Sequence, residues 1–143
     1  MSFNQLSLFL ENRYGQLAEV TGILASKGID LRAIHIAETM DYGVIRLIAD
    51  DSEAANNCLK EAEFIVCKTP VLIAAVDDRP GGLAEMLKAL AGAGIDIEYI
   101  YSIFGKMNGI AYMVFRAKDN DAAEDVLKQN GFHIAEPSEL GIH

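Results

Sequence analysis

Alternation along the first ten residues predicts a strand at the start of the chain. Leu6, Leu8 and Leu10 are separated by Ser7 and Phe9. A period of two is typical of a strand that turns one face toward a core. The chain therefore opens with a strand buried on its leucine side.

A helical spacing of apolar residues follows this strand and recurs later. It occupies positions i, i+3, i+4, i+7 and i+8, which is the pattern of a helix with one apolar stripe. These residues are Leu17, Val20, Thr21, Leu24 and Ala25, and then Leu83, Met86, Leu87, Leu90 and Ala91. Gly28 and Gly94 come just after the two stripes, where a helix ends most easily on a residue that accepts a positive φ. Residues 53–61 and 121–129 predict two further helices.

Short apolar segments between the helices predict the remaining strands. They cover residues 31–37, 44–49 and 64–67 in the first half, and residues 71–76, 95–104, 110–116 and 132–135 in the second. Residues 71–76 are apolar at every position, which indicates a strand covered on both faces. Each half of the chain therefore follows the order βαββαβ.

The two halves are copies of one unit. Residues 12–19, NRYGQLAE, reappear as DRPGGLAE at 78–85, an offset of 66 that becomes 68 toward the end of the chain. An offset sustained over this length indicates an internal repeat. We predict a first domain at 1–69, a second at 70–137 and a C-terminal tail at 138–143.

The order βαββαβ is that of the ferredoxin-like α+β fold, an antiparallel sheet with two helices on one face. A unit of this size has a thin core, so we expect the two units to pack together. Only Thr69 and Pro70 separate the predicted last strand of the first unit from the first strand of the second. Such a short joint predicts either direct contact between the units or exchange of a terminal strand.

Charge and composition argue against several classes of protein. The chain has 12 Lys and Arg against 21 Asp and Glu, a net charge of −9, whereas nucleic-acid binding depends on cations that neutralise phosphates. No apolar run approaches the ~18 residues of a membrane span, and the N-terminus lacks the features of a signal peptide. We expect a cytoplasmic protein with no nucleic-acid or membrane partner. Cys58 and Cys67 are too few for a disulfide framework and are interpreted as buried small apolar residues.

The sequence contains no recognisable catalytic constellation. His35, His133 and His143 have no partner at metal-ligand spacing and do not accompany a serine or cysteine in a nucleophile motif. His35 aligns with Tyr101 in the repeat, which favours a wall residue with a polar tip at the interface over a general base. We expect no enzyme activity, no catalytic residue, no metal site and no cofactor.

The loop motifs resemble those of the ACT domain family of small-molecule regulatory modules. In the second unit the resemblance rests on DRPGGLAE at 78–85 and on GIDI at 94–97. The first unit repeats these motifs with NRYGQL at 12–17 and GIDL at 28–31. The resemblance covers nearly the whole chain, and its short motifs occur twice within the expected βαββαβ frame.

The first loop departs from the second at two positions. Tyr14 and Gln16 stand where the second loop has Pro80 and Gly82. The first loop is therefore bulkier, and we expect it to hold a ligand differently.

The resemblance implies an allosteric module, usually for amino acids, whose ligand lies between paired domains at the loop before the first helix. The candidate ligand-binding residues are Asn12, Arg13, Tyr14, Gly15, Gln16 and Leu17 in the first loop and Asp78, Arg79, Pro80, Gly81, Gly82 and Leu83 in the second. Opposite the second loop, we expect a wall formed by the strand of the first unit that begins at Asp30 and Leu31. Opposite the first loop, we expect Asp96 of the second unit.

The chemistry of these loops suits an amino acid. The unpaired N–H groups of a first helical turn, together with the helix dipole, attract a carboxylate, and Pro80 is compatible with a helix start because its missing N–H is not needed there. Asp78 suits an ammonium group, and Asn12 suits an amide or an ammonium group. The alternative is that Asp78 and Asn12 only cap their helices and Gly81 only makes the turn.

Two functions from different classes remain at this point. The first is a regulatory module that binds an amino acid or a related carboxylate. Because we expect no attached catalytic domain, we expect this module to act on a separate enzyme. The second is a structural protein–protein interaction module without a ligand. A small enzyme of ferredoxin-like fold is a weaker third hypothesis. A homodimer is compatible with each of these functions.

Overall fold

The computed structural model describes residues 3–11, 14–38, 43–104 and 108–143. Its strands are β1 (Phe3–Leu10), β2 (Leu31–Glu38), β3 (Gly43–Ala49), β4 (Val66–Asp77), β5 (Ile97–Ser102), β6 (Ile110–Ala117) and β7 (His133–Ile134). Its helices are α1 (Gln16–Ser26), α2 (Ser52–Glu61), α3 (Gly82–Gly92) and α4 (Asn120–Gln129), and a short 3-10 helix follows at Pro137–Leu140.

The chain divides into two compact units. The N-terminal unit comprises Asn4–Thr69 together with Gly141–His143, and the C-terminal unit consists mainly of Pro70–Leu140. The strand order is β2-β3-β1-β4 in the N-terminal unit and β5-β6-β4-β7 in the C-terminal unit. Each order reads second, third, first and fourth strand of its unit, which is the ferredoxin-like arrangement. The predicted α+β fold with antiparallel sheets is confirmed.

Each unit has its own core between its helices and one face of its sheet. The N-terminal core contains Leu6, Leu8, Val20, Leu24, Ile45, Leu47 and Leu59. The C-terminal core contains Leu72, Ala74, Met86, Leu90, Phe115, Ala123 and Leu127. The strand residues in both cores alternate along their strands, which confirms that the helices cover one face of each sheet. Complete burial of one such leucine or phenylalanine contributes about 1.5–3 kcal/mol.

The strand β4 differs from the prediction. Two strands were expected at 64–67 and 71–76 with a joint at Thr69 and Pro70, whereas β4 runs without interruption from Val66 to Asp77. The expected joint is therefore wrong, because both of its residues are strand residues. Pro70 has no N–H to donate within the sheet. Its carbonyl has a partner, because Asn120 Nδ2 donates a hydrogen bond to it at 3.0 Å.

The glycines after α1 and α3 end these helices as predicted. Gly28 has φ 68° and Gly94 has φ 73°. In the first case the Gly28 N–H donates to Ala25 O and the Ile29 N–H to Leu24 O, both at 3.0 Å. These two bonds define the Schellman motif, which pairs carbonyls left open at the helix end.

The two cysteines differ in exposure. Cys58 is buried, but Cys67 is exposed, so the prediction for Cys67 is wrong. Residues 66–69 of β4 form an edge strand of the N-terminal unit, and Val66 packs against the core. Alternation along the strand therefore turns Cys67 to the other side.

The last three residues of the predicted C-terminal tail, Gly141–His143, belong to the N-terminal unit. Ile142 is buried, and the His143 N–H donates to the Asp50 carbonyl at 2.7 Å. Asp50 also accepts the Asp30 N–H through Oδ1 at 3.0 Å. Within the part of the chain that the structure describes, no helix combines the length and the apolar character needed to cross a membrane.

Candidate functional site

The four helices begin in two different ways. Asp51 caps α2 by accepting the Ala54 N–H at 3.0 Å, and Asp119 caps α4 by accepting the Ala122 N–H at 3.1 Å. In contrast, α1 and α3 follow a glycine, and no side chain caps either helix. The interpretation of Asp78 as a helix cap is therefore wrong, because Gly81 occupies the cap position of α3.

The first turn of α3 has N–H groups available for a ligand. The Gly82 N–H donates to the Arg79 carbonyl at 3.0 Å. For the N–H groups of Leu83 and Ala84, the hydrogen bonds between described residues include no acceptor. Unpaired N–H groups at a helix start carry the positive end of the helix dipole, so they attract an anionic group.

Two glycines bring the start of α3 against the end of β4. Gly81 has φ 91°, a conformation that L side chains rarely adopt. A Cβ atom on Gly82 would lie 1.9 Å from the Asp77 carbonyl oxygen. The second position therefore requires glycine because of a backbone contact and the first because of its φ angle.

Arg79 holds the loop between β4 and α3 through several partners. Its Nη2 donates to both carboxylate oxygens of Glu85, at 2.9 and 3.0 Å, and its Nε lies 3.4 Å from Asp77 Oδ2. Its Nη1 also donates to the Pro80 carbonyl at 3.3 Å. The hydrogen bonds to Glu85 raise the pKa of the Arg79 guanidinium. The loop thus presents one cation and two carboxylates next to the unpaired N–H groups.

A cavity of about 280 Å³ lies in the C-terminal unit beside this helix start. It is lined by Ala75, Val76, Asp77, Gly82, Glu85, Ile110, Gly131, Phe132 and His133. The wall is apolar at Val76, Ile110 and Phe132, and it is ionisable at three further positions. A small molecule with an apolar body and charged groups at one end matches this lining.

His133 closes one side of the cavity and is itself held in place. Its Nε2 and Glu139 Oε2 are 2.7 Å apart, and Glu139 Oε1 accepts the Glu136 N–H at 3.1 Å. The hydrogen bond from His133 is the main cause of the lowered pKa of Glu139.

Several cavity residues were not singled out in the sequence. Glu85 belongs to the repeated loop motif and could have been included on that ground. Ile110, Phe132 and His133 lie far from the loop in sequence. They reach it because β6 and β7 both pair with β4, with Asp77 opposite Ile110 and Ala75 opposite His133.

Only some of the predicted residues of the second loop lie at the cavity. Gly82 lines the cavity, and Gly81 and Leu83 flank it in the chain. Asp78 has an exposed side chain, and its N–H donates to the Gly109 carbonyl at 2.9 Å. Asp96 follows the C-terminal end of α3 and forms an ion pair with Lys118 at 3.5 Å, so within this unit it lies at the opposite end of the helix from Gly81.

The first loop is described only in part. Asn12 and Arg13 lie outside the described residues. Tyr14 is fully exposed, Gly15 has φ 79°, and Leu17 is 37% exposed.

Gln16 is the exception among the described residues of the first loop. It is only 6% exposed, and its Oε1 is buried without a hydrogen-bond partner.

The strand start predicted as a wall of the ligand site has other partners within the N-terminal unit. Asp30 forms an ion pair with Arg32 at 3.6 Å, and Leu31 begins β2. The role of Asp30, Leu31 and Asp96 in a ligand site stays a prediction.

His35 lies opposite Arg46 on the neighbouring strand. Arg46 Nη1 donates to its Nδ1 at 3.4 Å, and burial, followed by the nearby Arg46 charge, lowers the pKa of the imidazole. Among the residues that the structure describes, His, Cys, Asp and Glu side chains form no group of three or more that could hold a metal ion.

The comparisons with known proteins identify the family. The family model described as an ACT domain pair matches residues 1–141, so the chain belongs to the ACT domain family. A comparison with curated protein sequences finds no match.

Solved structures share the fold over nearly the whole chain. Protein BT0572 from Bacteroides thetaiotaomicron is 40% identical with a TM-score of 0.91, over 99% of this chain and 96% of that protein. The regulatory subunit of aspartate kinase from Thermus thermophilus is 20% identical with a TM-score of 0.63, over 90% of this chain and 93% of the subunit. The corresponding subunit from Thermus flavus is 18% identical with a TM-score of 0.60, over 90% and 92%. At these lower identities the two kinase subunits establish the fold alone.

Proposed function

We propose that this ACT domain pair is a regulatory module that binds an amino acid or a related small carboxylate and acts on a separate enzyme. The observation that carries the proposal is the start of α3, where the unpaired N–H groups of Leu83 and Ala84 directly follow Gly82 and the cavity that Gly82 lines also contains the carboxylates of Asp77 and Glu85. Membership of the chain in the ACT domain family over residues 1–141 adds support for the regulatory role.

The ligand carboxylate binds at the glycine-capped helix start. In the first turn of α3 the Gly82 N–H already donates to the Arg79 carbonyl. The ligand carboxylate therefore accepts hydrogen bonds from the N–H groups of Leu83 and Ala84. A carboxylate there gains charge-assisted hydrogen bonds and the favourable end of the helix dipole.

The ligand ammonium group faces the carboxylates of the same loop. Glu85 and Asp77 line the cavity, and Asp78 follows directly in the chain. The ligand side chain packs on Val76 and Ile110. The volume of about 280 Å³ is at the lower end of the range for small-molecule sites, which favours a compact ligand.

The proposed role is non-catalytic. Binding requires only the charges and N–H groups named above, and the His133 imidazole is engaged with Glu139. The output then depends on the partner enzyme, which senses the ligand-bound state of the pair.

A thermal-shift screen against the twenty standard amino acids tests this function. Free ligand at about 100 times its Kd adds about 2.7 kcal/mol of stability, which raises the Tm by several degrees. Glu85→Gln removes the carboxylate that faces the ammonium group and should abolish most of the shift. Glu19→Gln changes the equivalent position in the N-terminal unit and should leave the shift intact. Absence of a shift for all twenty amino acids, or equal shifts in both variants, contradicts the proposal.

A further inference from the structure

We infer that each chain binds ligand at one of its two repeated sites, because the side chain of Gln16 fills the counterpart site in the N-terminal unit. This inference rests on the proposed function. It concerns how many ligands a chain binds, which the repeat alone leaves open.

The repeat gives the residues that correspond to the cavity. At the offset of 66, Gly82 corresponds to Gln16 and Ala75 to Phe9. The turn at Gly131 corresponds to Glu63 at the offset of 68, and both residues have a positive φ, 81° and 69°. The two units therefore share the positive φ of this turn, while three small residues of the cavity wall are replaced by larger ones in the N-terminal unit.

The direction of the side chain at this position follows from the helix. Gln16 lies on the same buried face of α1 as Val20 and Leu24, which belong to the N-terminal core. Gly82 occupies the same position on the buried face of α3. The side chain of Gln16 therefore points toward the sheet of its own unit.

The burial of Gln16 agrees with this direction. A glutamine at the first position of a helix could extend into water, but Gln16 is only 6% exposed. Its side chain is packed inside the unit, next to the helix start that corresponds to the proposed ligand site. A ligand carboxylate cannot occupy that space while the carboxamide is there.

The side chain of Gln16 could be buried for a hydrogen bond at Oε1 or for the volume that it fills, and the unpartnered Oε1 distinguishes the two. Oε1 gains no hydrogen bond in the folded chain, although burying an unpaired acceptor is unfavourable. The side chain therefore contributes volume at this place, without a hydrogen bond at Oε1. Removing it should open space and should not break a bond at that oxygen.

The stoichiometry of binding tests the inference. Equilibrium dialysis of the full chain uses each of the twenty radiolabelled standard amino acids, one at a time. The inference predicts one equivalent bound per wild-type chain and two per Gln16→Gly chain, which has the Gly-Gly pair of the second loop. The control Gln16→Met keeps the volume without the amide and should bind one equivalent.

Each outcome decides a different claim. Two equivalents on wild type, or one equivalent on a Gln16→Gly chain that circular dichroism shows to be folded, overturns the inference and leaves the proposed function standing. Two equivalents on Gln16→Met also overturn it, because the volume of the side chain would then not close the site. Failure of all twenty amino acids to bind both wild type and Gln16→Gly overturns the proposed function, and the inference with it.

Discussion

Gly82 provides a direct test of the contact between α3 and β4. Replacing it with alanine adds one methyl group, whose carbon would lie 1.9 Å from the Asp77 carbonyl oxygen. An ordinary contact of this kind begins at 3.4 Å, so the helix start and the strand end must separate by about 1.5 Å. Overpacking of this kind typically costs about 1–3 kcal/mol.

Gly92 is the matched control at the other end of the same helix. Nothing lies within 4 Å of a Cβ atom built on Gly92. Alanine there lowers the entropy of the unfolded chain and should stabilise the protein by about 0.5–1 kcal/mol. Gly82→Ala and Gly92→Ala should therefore change stability in opposite directions.

Urea unfolding followed by far-UV circular dichroism measures the free energy of unfolding of wild type and of both variants. In a thermal melt of a chain of this size, a loss of 2 kcal/mol corresponds to a decrease in Tm of about 4–8 °C. If Gly82→Ala is as stable as wild type, the close backbone contact is not rigid and the argument that glycine is required there is refuted.

Two further predictions concern helix caps and pH. Asp51→Ala and Asp119→Ala should each lower the free energy of unfolding by about 1 kcal/mol, because each removes a side-chain cap. Asp78→Ala should change it by less than about 0.5 kcal/mol. Chemical denaturation measures the three variants, and an equal loss in all three contradicts the prediction. The hydrogen bond from His133 lowers the folded-state pKa of Glu139, so its contribution is fully present above the ordinary glutamate pKa and is lost as pH falls through the lowered value. The stability difference between wild type and Glu139→Gln should therefore shrink with acidification in that window, and a difference that grows on acidification would show the sign to be wrong.

The repeated elements of the fold were predictable because they depend on local chemistry. The apolar stripes of α1 and α3 and the glycines at 28 and 94 act within one or two helical turns, so their spacing identifies them. The continuity of β4 was not predictable, because proline at position 70 is a typical signal for a break in a strand. The pairing of Asn120 with the Pro70 carbonyl depends on residues fifty positions apart.

The candidate site was predictable only in its loop. The motif at 78–85 identified the glycine-capped helix start, because free N–H groups follow directly from that local geometry. Phe132 and His133 carry no local signal for a ligand site, and only the sheet topology brings them to the cavity. The burial of Gln16 likewise depends on the fold, since glutamine at a helix start is usually exposed.

An NMR titration of the ¹⁵N-labelled chain tests the central claim most directly. The twenty standard amino acids are added one at a time, and the backbone amide signals are followed. The account predicts that at least one amino acid shifts the amides of Leu83 and Ala84 most strongly, because its carboxylate accepts their hydrogen bonds. A titration in which no amino acid moves these two amides, or in which the largest shifts lie away from the start of α3, contradicts the account.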